Sequence, residues 1–403
     1  LHSSDEIIPH FQRITAKVKQ AGAVICQQLY HIGAHGDSDL SFAPHWSPSG
    51  GPSYHDSDGS HQMTEAEILE LLEAHLAAAI RAKKSGFQGV EVWAAYHSLL
   101  DQFWTPWSNR RTDQWGGSLE NRTRFSRMLI ENIRSACGED FIIGLAISYS
   151  PAYSVTLSAQ ELCEIIALHD ATGDLDYVTC GYGSYLEFEG IIPPFTHGEK
   201  LTTPLTAQLK AVVKHAVITS EAGVRTPENA EAILASGQAD LVSIVRGQIA
   251  DPHLARKTIE GRVQDIRGCI SCNQMCWGRR SRDYWISCLI NPSVGREYEW
   301  GGDRFVAAPV AKSVLVVGAG PAGLEAARAA AEMGHHVEIV EASPMIGGQF
   351  RLAGLQPRRA QILDLLDWYE RQFTQLGVTL RLNCYLDEAE IAAHPAEVVL
   401  LAT

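Results

Sequence analysis

Apolar residues recur along this chain with two alternating periods. Over 11–19 they keep a helical spacing that stops at Gly22, and 23–29 is an apolar run of strand length. A polar stretch rich in Gly, Pro and Ser covers 33–62, and then Thr64 and Glu67 form a capping box. That box opens a helix with Ile68, Leu72, Leu76, Ala79 and Ile80 on one face, which ends at Gly86 and leads to a strand over 89–93. The unit repeats. Strand 142–147 precedes a helix capped by Ser158 and Glu161, strand 177–179 precedes helix 206–214, and strand 216–221 follows. Thr226-Pro227 then opens a helix that ends near Gly237, and strand 241–245 closes the series. Strands alternating with amphipathic helices wind a parallel α/β sheet. A closed (β/α)8 barrel needs eight strands, and the chain opens in a helical layer after which six are legible. The economical expectation is a TIM barrel whose first two strands precede residue 1. An open doubly wound sheet is the competing architecture, but it sets a Gly-rich loop after its first strand, and no such loop occurs before 318.

The pattern then changes. Ser313-Val-Leu-Val-Val317 runs into Gly318-Ala-Gly320-Pro-Ala-Gly323, a helix through Met333, a strand over 336–340, and Glu341. This is the order of a Rossmann-like dinucleotide site. The glycines let the backbone approach a pyrophosphate at the helix N-terminus, and Glu341 can take the ribose hydroxyls. Residues 398–403 read as a further strand cut off in mid-fold, so truncation is expected at both ends. The expected domains are a barrel over 1–262, a cysteine segment and linker over 263–311, and a dinucleotide-binding domain over 312–403.

Composition adds bounds. With 403 residues, 45% of them hydrophobic, the chain can build two or three cores, and no apolar run is long enough to span a membrane. A formal charge of −14 argues against nucleic acid as a partner. Of nine cysteines, Cys26, Cys137, Cys163, Cys180 and Cys384 are scattered and read as small core residues. The other four, Cys269, Cys272, Cys276 and Cys288, share one loop with the spacing C-x2-C-x3-C-x11-C. A disulfide knot fits poorly in a large chain without a secretory segment, which leaves a metal loop in a reducing cytoplasm. The spacing lacks the paired C-x2-C of a zinc ribbon and suits a [4Fe–4S] cluster, although four thiolates would also hold zinc.

One long motif is specific. Tyr96-His-Ser-Leu-Leu-Asp-Gln-Phe-Trp-Thr-Pro, continued by Asn109-Arg-Arg-Thr-Asp-Gln-Trp-Gly-Gly-Ser-Leu-Glu-Asn-Arg122, resembles the signature of old yellow enzyme-type flavin oxidoreductases. Gln28 and His31, in Gln-Leu-Tyr-His, resemble that family's strand-end segment beside the flavin. With the cysteine loop and the Gly318 fingerprint appended, the whole chain is similar to the trimethylamine dehydrogenase and 2,4-dienoyl-CoA reductase branch. The resemblance implies FMN in the barrel, a [4Fe–4S] cluster at its edge, and FAD or bound ADP in the last domain. It also implies a small-molecule substrate, with an electron-acceptor protein or NAD(P)H as redox partner; a homodimer is one assembly such a chain could form.

Within the resemblance, Gln28 is expected to meet the flavin's pyrimidine edge. Gly223 after one strand and Arg246-Gly247 after the next are expected to meet its phosphate. Arg110, Asp113 and Arg122 are expected to brace their own loop. Two departures redirect the chemistry. The arginine that relatives carry within Gly-Val-Arg-Ile-Ser is replaced in Gly144-Leu-Ala146-Ile-Ser148. Trp93, Tyr96 and Ser98 stand where enone reducers carry a histidine pair and a tyrosine donor. Aromatic faces suit a methylated ammonium, so Trp93, Tyr96, Tyr185 and Trp277 are the expected substrate surface, with barrel packing as the plainer role for Trp93. Glu187 and Glu189 could meet the cation, and Tyr96, His97 and His31 are the expected acid–base groups, with His35 nearby. The expected reaction oxidises a C–N bond of an N-methylated amine or betaine. Hydride passes to FMN, and single electrons leave through the cluster. The rivals are an NAD(P)H-dependent enoate or dienoyl-CoA reductase and a non-catalytic, zinc-stapled ligand-binding barrel.

Overall fold

The computed structural model describes residues 4–36, 42–53, 59–152, 155–301 and 305–403. The chain packs as two units. Leu1–Pro193, Glu199–Val224 and Ala230–Ser243 form the first, and Pro194–Gly198, Arg225–Asn229 and Ile244–Thr403 form the second. The residues 244–262 thus pack with the second unit. Of the polar stretch over 33–62, residues 37–41 and 54–58 lie outside the described residues.

The strands of the first unit are β1 (Cys26–Leu29), the short pair β2 (His45–Ser47) and β3 (Ser60–Gln62), β4 (Gly89–Ala94), β5 (Ile142–Tyr149), β6 (Tyr177–Tyr182), β7 (Val217–Ser220) and β8 (Leu241–Val242). Six of them join in the order β1-β4-β5-β6-β7-β8, and every neighbour is parallel. Parallel neighbours require a crossover, and the amphipathic helices supply it. The fold is the TIM-barrel-like parallel winding that the periodicity predicts. Helix Glu65–Lys84 starts at Thr64, whose capping box with Glu67 is complete, and buries Ile68, Leu71, Leu72 and Ala79. Helix Ala159–Asp170 is capped in the same way by Ser158 and Glu161. In β4 the period of two sorts side chains between faces: Val90 and Val92 are fully buried in the apolar core, and Glu91 and Trp93 turn to the opposite face. Strand β8 is shorter than expected because Val245 is exposed and leads into helix Arg246–Ala250.

The second unit carries β9 (Ser313–Val317), β10 (His336–Val340), β11 (Thr379–Arg381) and β12 (Val398–Leu401), all parallel in the order β11-β10-β9-β12. Gly318 has φ +102°, and a Cβ on Gly323 would stand 1.9 Å from the Gly318 carbonyl oxygen. Only glycine allows that close approach of loop and helix. Arg328, 3% exposed on helix Pro321–Glu332, pairs with Glu325 at 2.7 Å and with Glu332 at 3.0 Å. Tyr369 of helix Gln361–Leu376 donates to Glu325 at 2.8 Å. The neighbouring Trp368 donates to the Asp265 carbonyl at 3.0 Å and lies under the Arg267 guanidinium, 4.5 Å from its ring centroid. This network ties the segment just before the cysteine loop to both long helices of the unit.

Removing one partner of such a buried pair strands the other charge. Arg328→Ala should therefore destabilise the protein by about 3–5 kcal/mol. Urea unfolding followed by circular dichroism measures it, and an unchanged midpoint would contradict the role given to the guanidinium.

Candidate active site

Strand β4 ends at Ala94, and two residues later the backbone enters the left-handed region twice in succession, with φ +62° at Tyr96 and +63° at His97. Each such residue costs on the order of 1–3 kcal/mol, so surrounding bonds must hold it there. Tyr96 N–H donates to Ser148 Oγ of β5 at 2.7 Å, and the Tyr96 carbonyl accepts from Tyr185 N–H at 3.0 Å. His97 N–H donates to the Asp101 carboxylate at 2.8 Å, and the His97 carbonyl accepts from Gln102 Nε2 at 2.8 Å. Burial pushes the Asp101 carboxyl up to about 6, against the pull of its bonds from Thr105 and His97.

The turn sets rings against one another. Trp93 and Tyr96 have centroids 5.4 Å apart, and Tyr96 and Tyr185 6.5 Å. Tyr30 meets Trp93 edge-on at 6.1 Å and shares a 2.5 Å hydroxyl contact with Tyr185, and Phe188 stacks on Tyr185 at 6.3 Å. Ala146, 1% exposed, packs within this group, so rings surround the position where relatives carry arginine. The Trp93 indole N–H is buried and has no hydrogen-bond partner among the described residues.

Two carboxylates stand beside the rings. Glu91 accepts from Gln28 Nε2 at 2.8 Å and from Thr179 Oγ1 at 2.9 Å. Glu221, directly after β7, is hydrogen-bonded by the Ser243 and Tyr96 side chains. Burial, and then the charge of Glu91, push the Glu221 carboxyl up to about 7. Burial, and then Glu221, hold the Tyr96 hydroxyl well above its ordinary value, so it remains a proton donor.

The structure brings Trp93, Tyr96 and Tyr185 together, as the sequence predicts. Trp277 belongs to the second unit, where Arg280 lies over its ring at 5.2 Å. His97 is 2% exposed, with Nδ1 2.8 Å from His35 Nε2 and Nε2 3.1 Å from Ser108 Oγ. Burial, and then His35, lower its pKa to about 3. His31 Nδ1 accepts from Gly33 N–H at 3.1 Å, and its ring lines a cavity with Leu71, His75 and Arg81. Burial, and then His75, lower its pKa to about 4. Glu187 is buried against the Ser150 hydroxyl, and Glu189 is exposed. Gly223 has φ +75° in a turn packed on Glu199 and Lys200. Gly247 leaves no room for a Cβ beside the Arg225 carbonyl, and Arg246 Nη1 donates to Asn273 Oδ1 at 2.7 Å. The long motif braces itself: Asn109 Nδ2 donates to the Phe103 and Trp115 carbonyls at 2.7 and 2.8 Å, and Arg122 donates to the Trp104 and Gly117 carbonyls. Sequence reasoning missed Glu91, Glu221, Tyr30 and Ser148. The signals for the two carboxylates were present: an acid alone within the apolar run of β4, and an acid at the C-terminal end of a barrel strand.

The cysteine loop lies wholly within the second unit. Cys269, Cys272, Cys276 and Cys288 line one cavity with Arg246 and Asn273. Left-handed residues Ser271 (φ +51°) and Asn273 (φ +57°) curl the loop, and Ser271 N–H donates to Cys269 Sγ at 3.4 Å. Backbone N–H groups of Gln274 point at Cys272, and those of Ile290 and Asn291 at Cys288. Among the described residues no three Cys, His, Asp or Glu side chains stand together as a single-ion site. At the Gly318 loop, Glu341 accepts from Ala319 N–H at 2.7 Å and from Ser343 N–H at 2.8 Å. Burial opposes its charge, but these bonds hold the carboxyl below its ordinary value.

A barrel-like parallel sheet with a strand-end aromatic site, followed by a Gly-rich dinucleotide loop, defines a flavin-type oxidoreductase. The chain belongs to the NADH:flavin oxidoreductase / NADH oxidase family, which it matches over residues 2–265, and residues 313–374 match FAD dependent oxidoreductases. It is 36% identical to an N,N-dimethylglycine/sarcosine dehydrogenase of Chromohalobacter salexigens, covering all of this chain and 58% of that one. A 2-naphthoyl-CoA reductase structure superposes with TM-score 0.93 at 31% identity, over 99% of this chain and 62% of that one. Histamine dehydrogenase from Rhizobium sp. 4-9 superposes with TM-score 0.91 at 28% identity, over 99% and 58% respectively. The chain therefore spans about three-fifths of the length of these relatives. No helix among the described residues is long and apolar enough to cross a membrane.

Ser148→Ala should leave the Tyr96 N–H without its acceptor and cost about 1–3 kcal/mol, whereas Ser148→Thr keeps the hydroxyl and should recover most of it. Equilibrium unfolding of the two variants measures this. Equal losses would show that the hydroxyl does not hold the turn.

Proposed function

We propose that this chain carries the active site of an iron–sulfur flavoenzyme that oxidises the C–N bond of an N-methylated amine. The observation that carries the reading is the group of Tyr30, Trp93, Tyr96 and Tyr185 rings backed by the Glu91 and Glu221 carboxylates. Electron-rich faces beside half-buried negative charge attract an ammonium. The same carboxylates disfavour the negative charge that builds on an enone oxygen during reduction. The likeness to a dimethylglycine/sarcosine dehydrogenase and to histamine dehydrogenase supports the same chemistry.

The residues fit the groups this reaction needs. Gln28, with its amide oriented by Glu91, and the unpartnered Trp93 N–H are donors available to FMN, and the tight Gly223 turn suits its phosphate. Arg246 and Gly247 remain candidates for the phosphate. The four cysteines suit a [4Fe–4S] cluster: they line one cavity, and backbone N–H groups already point at sulfur. The helix after Gly320 has no side-chain cap, which leaves its first-turn N–H groups for the pyrophosphate of FAD or ADP. When bound, FMN supplies a hydride acceptor and the cluster a one-electron exit toward a protein acceptor. Trp93, Tyr96 and Tyr185 hold the ammonium. Proton chemistry falls to Tyr96; His97 and His31, held neutral by burial, support the backbone around it. Trp277 and Glu187 remain candidate substrate contacts. The superposition on 2-naphthoyl-CoA reductase favours a second reading, reduction of a conjugated substrate with NAD(P)H.

Stopped-flow flavin reduction separates the two. N-methylated amines should bleach the wild-type flavin, and Trp93→Leu should weaken amine binding roughly thirtyfold, since a desolvated cation–π contact is worth about 2 kcal/mol. Turnover of NAD(P)H with an enone, and no bleaching by any amine, would install the reductase reading instead. Protein purified without oxygen should contain about four irons with matching sulfide, and should release FMN and an adenine nucleotide on denaturation. Zinc in place of iron, or FMN alone, would refute the cofactor assignment.

A further inference from the structure

We propose that Tyr96 and Glu221 form a proton relay that strips the N–H proton from the cationic form of a secondary or tertiary N-methylamine. The inference rests on the amine-oxidation reading above and narrows its substrate class. An ammonium nitrogen has no lone pair to support hydride loss from its methyl carbon, so the bound cation must first become the neutral amine. A base is therefore needed beside the aromatic group; His35 meets the Tyr185 ring at 5.3 Å but its Nε2 is engaged with His97 at 2.8 Å, and burial holds His97 and His31 neutral.

Glu221 is built into place. Its backbone N–H donates to the Cys180 carbonyl at 3.1 Å, and its own carbonyl accepts from Thr202 Oγ1 at 2.7 Å. Its carboxyl meets the Tyr96 and Ser243 hydroxyls. The Tyr96 hydroxyl lies over Gly181, where any Cβ would come within 2.7 Å of it, so β6 leaves the ring tip clear. The titratable and charged groups facing Glu221 are Glu91 from β4, Tyr96 from the turn that follows it, and Cys180 from β6; Ser243 faces it after β8. All are acidic or neutral, and an arriving ammonium supplies the positive charge that balances the two carboxylates.

The step conserves atoms and electrons. The amine N–H bond breaks and its proton joins Tyr96 Oη as the tyrosine's own proton passes to the Glu221 carboxylate. One N–H bond is replaced by one O–H bond, the nitrogen keeps the electron pair, and nothing is oxidised. A quaternary betaine carries no N–H and gains nothing from the relay. Glu221 must be ionised to accept, and burial beside Glu91 puts its ionisation near 7. The rate should then rise with pH through that region and fall on the acid side as the carboxyl takes up its proton.

The test uses the holoenzyme, with the second-order constant for flavin reduction by a tertiary N-methylamine followed against pH. Wild type should show the acid limb near pH 7. Glu221→Gln should lose the limb and react about a hundredfold more slowly above it, Tyr96→Phe should do the same, and Glu221→Asp should keep a displaced limb. Infrared difference spectra give a readout independent of turnover. A protonated-carboxyl band should titrate in wild type, vanish in Glu221→Gln and shift in Tyr96→Phe. If Glu221→Gln does not fold, Glu221→Asp and Tyr96→Phe carry the test by the same criteria. A wild-type pH profile in Glu221→Gln, or a carboxyl band indifferent to Tyr96→Phe, overturns the relay while the amine reading stands. A wild-type flavin that no amine bleaches at any pH overturns the amine reading and the relay's role with it.

Discussion

Two successive left-handed residues, Tyr96 and His97, are the constraint on which the active-site half of this chain depends. Neither is a glycine, and left alone the backbone would relax. It is held because three parts of the fold contribute four bonds: Ser148 from β5, Tyr185 from the segment after β6, and Asp101 and Gln102 from the helix that follows the turn. The strain points the Tyr96 ring at Gly181 instead of along the strand, which lets its hydroxyl reach Glu221. Loss of any of these supports would be felt first in the direction of one ring.

The electrostatics follow from the same placement. A half-buried pair of carboxylates, Glu91 and Glu221, is costly unless something positive or hydrogen-bonding balances it. Gln28, Thr179, Ser243 and Tyr96 provide the bonds, and Ala146 leaves the rings in place of a guanidinium. The balance is incomplete by design of the donor set, since every donor is neutral. Under the proposed function, a cation would be selected more by what surrounds it than by any one contact.

The second unit uses irregular backbone for a similar purpose. Ser271 and Asn273 take left-handed conformations between cysteines, and the bends direct thiols and backbone N–H groups into one cavity. In the dinucleotide loop, glycine does the same work without strain. Gly318 and Gly323 touch closely enough that no side chain fits between them, while the space over Gly320 stays open.

The elements were legible in the sequence wherever the signal is local. The capping boxes at Thr64 and Ser158, the period-two alternation of β4, the glycine spacing at 318–323 and the cysteine spacing each lie in consecutive residues, and each element stands where its signal falls. Trp93, Tyr96 and Tyr185 were legible as a group because they lie at or just after the ends of β4 and β6, and a parallel winding collects its strand ends on one side. The roles of His97 and His31 were not legible, because burial and the partner of a ring nitrogen are properties of the packed sheet. The same holds for Glu221. From sequence it is one acid at the end of a short strand. Its raised ionisation comes from burial and then from Glu91 of β4, against the pull of Ser243 from beyond β8 and of a tyrosine turned by a strained backbone, and none of these is its neighbour in sequence. Short-range sterics and hydrogen bonding wrote the elements into the sequence by itself. Desolvation and charge coupling act through space, so only the tertiary structure decided which of the candidate groups could carry a proton.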